Sequence, residues 1–278
     1  MLTDYHVHLR PDEPGTTADR YFTTANFERY REAAGERGIA ELGVSEHIYR
    51  FQQSLEVWQH PYWTANARDD IDAYCQFVRE DTDLRLGIEA DFIPGREDQM
   101  ANLLEAREWD YVLGSVHFLR DHAVDMPGDY DVWSTTFESP ERVWRRYFET
   151  LGELARSGLY DILAHPDLVK VWGRERPRPD GDLRRFYEIA IEPIAESGIA
   201  IEVSTAGLRK PVGEIYPADG FLELVLEAGL PIALSSDAHV PDQLGFGYER
   251  AVEWLAGHGV TELCVFERRQ RTLVPIGG

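Results

Sequence analysis

Short apolar runs alternate with longer amphipathic, charge-rich stretches along this chain, and the alternation recurs seven times. The runs at residues 3–9, 39–46, 84–92, 110–118, 159–165, 199–204 and 230–236 predict strands. The stretches 25–37, 68–80, 97–107, 140–157, 182–197 and 219–228 predict helices. Several of these end at a glycine suited to a left-handed cap: Gly35 or Gly38, Gly158, Gly198 and Gly229. Residues 121–138 are acidic and aromatic with no clear period, which predicts a long loop. Strand-then-helix units in series predict an α/β fold built on a parallel sheet. No repeat, low-complexity stretch or linker divides the chain, so residues 1–278 are expected to form a single domain.

Pattern alone admits an open doubly wound sheet or a closed barrel. The polar residues decide between them, because barrels collect their chemistry at the C-terminal ends of many different strands. Nearly every predicted strand here ends in metal-ligand residue types. The ends read Asp4-Tyr5-His6-Val7-His8, Ser45-Glu46-His47, Gly87-Ile88-Glu89-Ala90-Asp91 and Gly114-Ser115-Val116-His117, then Ala164-His165-Pro166-Asp167, Ile201-Glu202-Val203-Ser204 and Ser235-Ser236-Asp237-Ala238-His239. Six of the nine histidines fall at these ends, and only His60, His122 and His258 lie in loops or turns. In a strand, residues i and i+2 project together, so His6 pairs with His8 and Asp237 with His239. Neutral imidazole and carboxylate suit zinc, iron or manganese. A carboxylate such as Glu89 can bridge two cations, and Asp4 can orient a ligand imidazole from behind. Taken singly, each piece has a plainer reading: His117 and His165 suit satisfied core residues, and Asp167 suits a helix cap.

Composition narrows the function. Hydrophobic residues make up 43% and aromatics 12%, which suits a globular enzyme. A formal charge of −22 argues against nucleic acid and anionic membranes as partners. No apolar run is long enough to span a bilayer, and the N-terminus has no signal-peptide pattern. Two cysteines in unrelated contexts, Cys75 and Cys264, make no disulfide framework and fit a reducing, cytoplasmic setting.

The order of the motifs resembles the polymerase and histidinol phosphatase (PHP) superfamily, over about residues 3–240. The resemblance implies a distorted seven-stranded (β/α)7 TIM-like barrel holding two or three divalent ions. Carried over by position, His6, His8, Glu89 and Asp237 would hold the first metal, and Glu89, His117 and His165 the second. His47 and His239 would help to hold a third. Many relatives place a further ligand, often histidine, shortly after the H-x-H pair. Here that stretch is Leu9-Arg10-Pro11-Asp12-Glu13-Pro14-Gly15, which leaves Asp12 or Glu13 as the substitute. The metal-dependent amidohydrolases also open with H-x-H, but their bridging lysine would have to precede two histidines and an aspartate. The only lysines here are Lys170 and Lys210, and the order does not fit.

Two stretches narrow the resemblance to the histidinol-phosphatase branch: Gly114-Ser115-Val116-His117-Phe118, and Ser204-Thr205-Ala206-Gly207-Leu208-Arg209-Lys210-Pro211 running on to Tyr216-Pro217. The implied activity is metal-assisted hydrolysis of a small phosphomonoester, L-histidinol phosphate, in histidine biosynthesis. Asp237, His239 and His47 are expected to handle protons, and Arg209 and Lys210 to bind phosphate. Asp91, Asp121 or Asp125 is placed against the substrate ammonium, and Tyr49, Phe51 or Phe118 against its imidazole. The rival readings are a barrel phosphatase acting on a nucleotide, sugar phosphate or phosphotyrosine, and a metal-binding barrel without catalysis.

Overall fold

The computed structural model describes residues 1–13 and 15–277. Seven strands form one parallel sheet in chain order: β1 (Leu2–Asp4), β2 (Ile39–Val44), β3 (Arg85–Asp91), β4 (Tyr111–Ser115), β5 (Ile162–Leu163), β6 (Ala200–Ser204) and β7 (Ile232–Ser235). The longest register runs from Gly87 opposite Tyr111 to Asp91 opposite Ser115. The sheet curls until its two edges meet beyond the strand ends. There the His8 amide donates to the Ala238 carbonyl at 2.8 Å, and the Ala238 amide to that of His6 at 3.2 Å. The expected seven-stranded barrel is therefore present, nearly closed.

Helices α1 (Thr24–Glu36), α2 (Ile71–Asp81), α3 (Glu97–Glu105), α4 (Pro140–Ser157), α5 (Arg184–Ser197), α6 (Asp219–Glu227) and α7 (Tyr248–Gly257) connect and cover the strands. Asp70 caps α2 by accepting from the amides of Asp72 and Ala73. Gly158 and Gly198 end α4 and α5 in the left-handed conformation. Residues 121–138 are less irregular than the sequence suggests. His122–Ala123 pairs with Phe118–Leu119, and Val132–Thr135 forms a helical turn capped by Asp131.

The lower end of the barrel is filled by side chains. Tyr111 lies across the interior with its hydroxyl donating to the Tyr5 carbonyl at 2.6 Å. The neighbouring strands make room for its ring with glycine: a Cβ on Gly87 would lie 2.2 Å from Tyr111 Cζ, and one on Gly43 2.4 Å from its hydroxyl. Below it an antiparallel hairpin, β8 (Glu262–Glu267) and β9 (Gln270–Pro275), plugs the opening with Cys264 and Phe266. The C-terminal ends of the strands are left free for the site.

Gly87→Ala should lower unfolding free energy by about 1–3 kcal/mol or more, since the methyl overlaps a fully buried ring. Urea denaturation measures this, and a variant as stable as the parent would contradict the interior packing described.

Candidate metal centre

Glu89 stands near the end of β3, 1% exposed, with its two oxygens facing different histidines. Oε2 lies 3.3 Å from His6 Nε2, 3.6 Å from His8 Nε2 and 2.5 Å from His47 Nδ1. Oε1 lies 3.1 Å from His165 Nε2 and 3.4 Å from His117 Nε2, and accepts from the Ser115 hydroxyl at 2.6 Å. Asp237 Oδ1 closes the first group, 3.6 Å from His6 Nε2 and 3.5 Å from His8 Nε2. The donor atoms gather in three sets with spacing suited to an ion: His6, His8 and Glu89; Glu89, His117 and His165; His8, His47 and His239.

The backbone is bent to achieve this. His165 and Asp237 have positive φ, 25° and 52°, where side chains other than glycine rarely sit. Arg209 holds the second turn, its Nη2 donating to the carbonyls of Ser236 at 2.8 Å and Asp237 at 2.9 Å.

The chemistry of the donor set calls for cations. Buried nitrogens of His6 (Nε2) and His8 (both), together with His47 Nδ1 and Glu89 Oε2, find no hydrogen-bond partner among the described residues. The close approach of His47 Nδ1 to Glu89 is too poorly aligned to count as one. Such orphans are costly in a low-dielectric interior unless a metal takes their lone pairs. Without metal the charges fall on the imidazoles. Burial works against a charged His6, yet Glu202, Glu89 and Asp237 push it well above the usual range. Burial likewise opposes protonation of His117, but Asp91 and Glu89 raise it to about 10. His8, desolvated and facing His47 and His239, is driven well below its ordinary value. Burial would raise Glu89, but His47, His6 and His117 hold it well below the carboxylate range. Divalent ions held by these residues would supply the positive charge that protons supply otherwise.

Outer partners fix the ligands. Glu202 Oε1 meets His6 Nδ1 at 2.8 Å and accepts from the Ser235 hydroxyl, while Oε2 accepts from the His165 amide. Asp91 Oδ1 meets His117 Nδ1 at 2.8 Å. Sequence reasoning did not give Glu202 a role. Its signal was its place beside the other ligand types at the end of β6. Asp91 was expected at the substrate ammonium but instead orients His117. Asp4, expected behind a ligand imidazole, accepts from the Ser236 amide and hydroxyl. Asp167, read as a helix cap, pairs with Lys170 Nζ at 3.0 Å and accepts from the Ala218 amide.

Asp12 reaches the third set, with Oδ2 2.9 Å from His239 Nε2 and 3.4 Å from His47 Nε2. Arg50 pairs with its other oxygen, and the Tyr49 hydroxyl donates there at 3.2 Å. Glu13 does not join. Its carbonyl turns inward to accept from Thr16, leaving the side chain exposed. Arg209 Nη2 serves the turn at Asp237, while its buried Nη1 meets no partner among the described residues, and Lys210 lines the neighbouring cavity. That cavity, about 190 Å³, is bordered by Glu89, His117, His165, Asp237, His239 and Lys210. Asp121 lines a separate hollow beside Trp58, and Phe51 is buried in the core.

A parallel barrel with carboxylates and histidines gathered at its strand ends defines a metallohydrolase class of site. A family profile described as the PHP domain matches residues 21–206, and this chain belongs to that family. It is 35% identical over 261 residues to a Deinococcus radiodurans protein named "Probable histidinol-phosphatase", covering 91% of this chain and 92% of the relative. It is 29% identical over 280 residues to the histidinol-phosphatase of Bacillus subtilis, covering 90% and 98%. The fold resembles the crystal structure of histidinol phosphate phosphatase from Lactococcus lactis, complexed with zinc, L-histidinol and phosphate. The TM-score is 0.70 at 17% identity, covering 98% of each chain.

Glu202→Gln should weaken metal binding about 10–100-fold, because one of its two accepting oxygens becomes a donor facing His6 or His165. Competition with a chromogenic chelator measures this, and unchanged affinity would remove Glu202 from the support of the centre.

Proposed function

We propose that this chain is a cytoplasmic enzyme that hydrolyses L-histidinol phosphate to L-histidinol and inorganic phosphate, a step of histidine biosynthesis. Residues 1–278 are taken as one catalytic unit. The observation that carries the reading is the two-sided Glu89 at the floor of a cavity that also presents Lys210. The similarity to named histidinol phosphatases over nine-tenths of the chain supports the substrate.

Two or three divalent ions, zinc, iron or manganese, would be held by His6, His8, Glu89 and Asp237, by Glu89, His117 and His165, and by His47, His239 and Asp12. When bound, such ions lower the pKa of water from about 15.7 toward 7 and neutralise phosphoryl oxygens. The chain's own residues do the rest. Lys210 meets the phosphate dianion at the cavity wall. Asp237, whose Oδ1 faces His6 and His8, accepts a proton from the attacking water. Where the third set holds no ion, His239 or His47, 3.4 Å apart, returns a proton to the departing alkoxide.

The leaving group has a matching slot. Tyr49, Tyr62, Phe118 and Met126 line a pocket of about 80 Å³ that opens beside His47 and His117. Asp125 borders both this slot and the metal cavity, and its Oδ1 is buried with no partner among the described residues. A cationic ammonium or imidazolium supplies what that oxygen lacks, between aromatic walls.

Phosphate release from a panel of esters tests the assignment. Histidinol phosphate should exceed nucleotides, sugar phosphates and phosphotyrosine by orders of magnitude in kcat/KM, and chelation should abolish the activity. Equal rates across the panel would refute the substrate. Asp125→Asn should raise KM for histidinol phosphate about 10–100-fold while sparing p-nitrophenyl phosphate, whose leaving group carries no cation. Equal losses on both esters would contradict the role given to Asp125.

A further inference from the structure

Tyr216 is fixed on every side except at its hydroxyl. Its backbone exchanges two hydrogen bonds with Ser204 at the end of β6, 2.9 and 2.8 Å, which ties it to the functional end of the barrel. Its ring packs against Gly207, where an added Cβ would lie 3.0 Å from it. Lys170 Nζ lies 5.3 Å from the ring centroid, and His165 stands edge-on at 6.4 Å. The residue is 1% exposed and lines the metal cavity. Yet the phenol oxygen meets no hydrogen-bond partner among the described residues.

That arrangement is costly without a ligand. A phenylalanine would fill the same space and leave no buried polar atom unpaired. Asp125 Oδ1, another buried atom without a partner at this cavity, does not accept from the hydroxyl. A phenol is protonated at neutral pH and so able to donate. Lys210 borders the same cavity, and so do His165 and Asp237. The chemistry that fits a neutral donor among these groups is a negatively charged oxygen entering from solvent.

We infer that the Tyr216 hydroxyl donates a hydrogen bond to a phosphoryl oxygen of the bound phosphomonoester. This rests on the phosphatase reading above. It adds a substrate-binding residue outside the metal set, and an uncharged one.

Tyr216→Phe tests it, because the substitution removes the hydroxyl and nothing else. The metal-loaded variant should lose about 10–100-fold in kcat/KM, the factor for one hydrogen bond to a charged oxygen. Inorganic phosphate, used as a competitive inhibitor, should weaken by a similar factor. Metal content should be unchanged, and Tm should be equal or higher, since the lost group bonds nothing in the fold. Unchanged kinetics and phosphate inhibition overturn the inference. A drop in Tm or metal content that accounts for the loss also overturns it, by making the hydroxyl structural. A parent protein that neither binds phosphate nor cleaves any ester would instead remove the phosphatase reading itself.

Discussion

One buried carboxylate, Glu89, faces histidines on both of its oxygens, and the arrangement of the strand ends follows from that constraint. His6 and His8 approach one oxygen from β1, while His117 and His165 approach the other from the ends of β4 and β5. A carboxylate so enclosed is tolerable only beside positive charge. In the bare chain that charge comes from imidazoles pushed to hold protons. With divalent ions it comes from the metal, and the same nitrogens become ligands. The site is thus built for cations before any substrate arrives.

The cost of this design is met by the rest of the barrel. Two ligands sit at positive φ, and each is held by something else: Glu202 accepts from the His165 amide, and Arg209 ties the carbonyls at Asp237. The acid–arginine pair Glu46 and Arg50 secures the loop that carries Asp12. Glu46 accepts from the amides of Leu9 and Arg10, and Arg50 bonds the Arg10 carbonyl and Asp12. Beneath the site, Tyr111 and the C-terminal hairpin fill the interior, so the strands have a rigid floor to register against.

Much of this was legible in the sequence because a parallel barrel strand is a short apolar run with its chemistry at one end. All seven strands and six helices lie where the pattern put them, and the histidines at strand ends converge. What was not legible depends on contacts distant in sequence. Glu202 reads as one more acid at a strand end until His6 and His165 are seen on either side of it. Arg209 and Lys210 are adjacent, yet Arg209 also bonds the carbonyls of Ser236 and Asp237 while Lys210 borders the cavity, and that depends on how the turn packs under Asp237. The hairpin β8–β9 escaped notice because its turn residues, Arg268 and Arg269, take φ of 48° and 60° without the Asn or Gly that usually marks such a turn. Asp110 stabilises it from outside, accepting from both arginine amides. Helix α7 follows Gly247 with no side-chain cap, so its start also lacked a signal.

The most direct measurement is an anomalous-difference map from crystals of the metal-loaded protein, collected at the absorption edge of the bound metal. The account predicts one peak among Glu89 Oε2, His6, His8 and Asp237, and a second among Glu89 Oε1, His117 and His165. Metal found outside these two positions and the His47, His239 and Asp12 set, or on only one side of Glu89 at saturating concentration, would contradict the bridging role on which everything else is built.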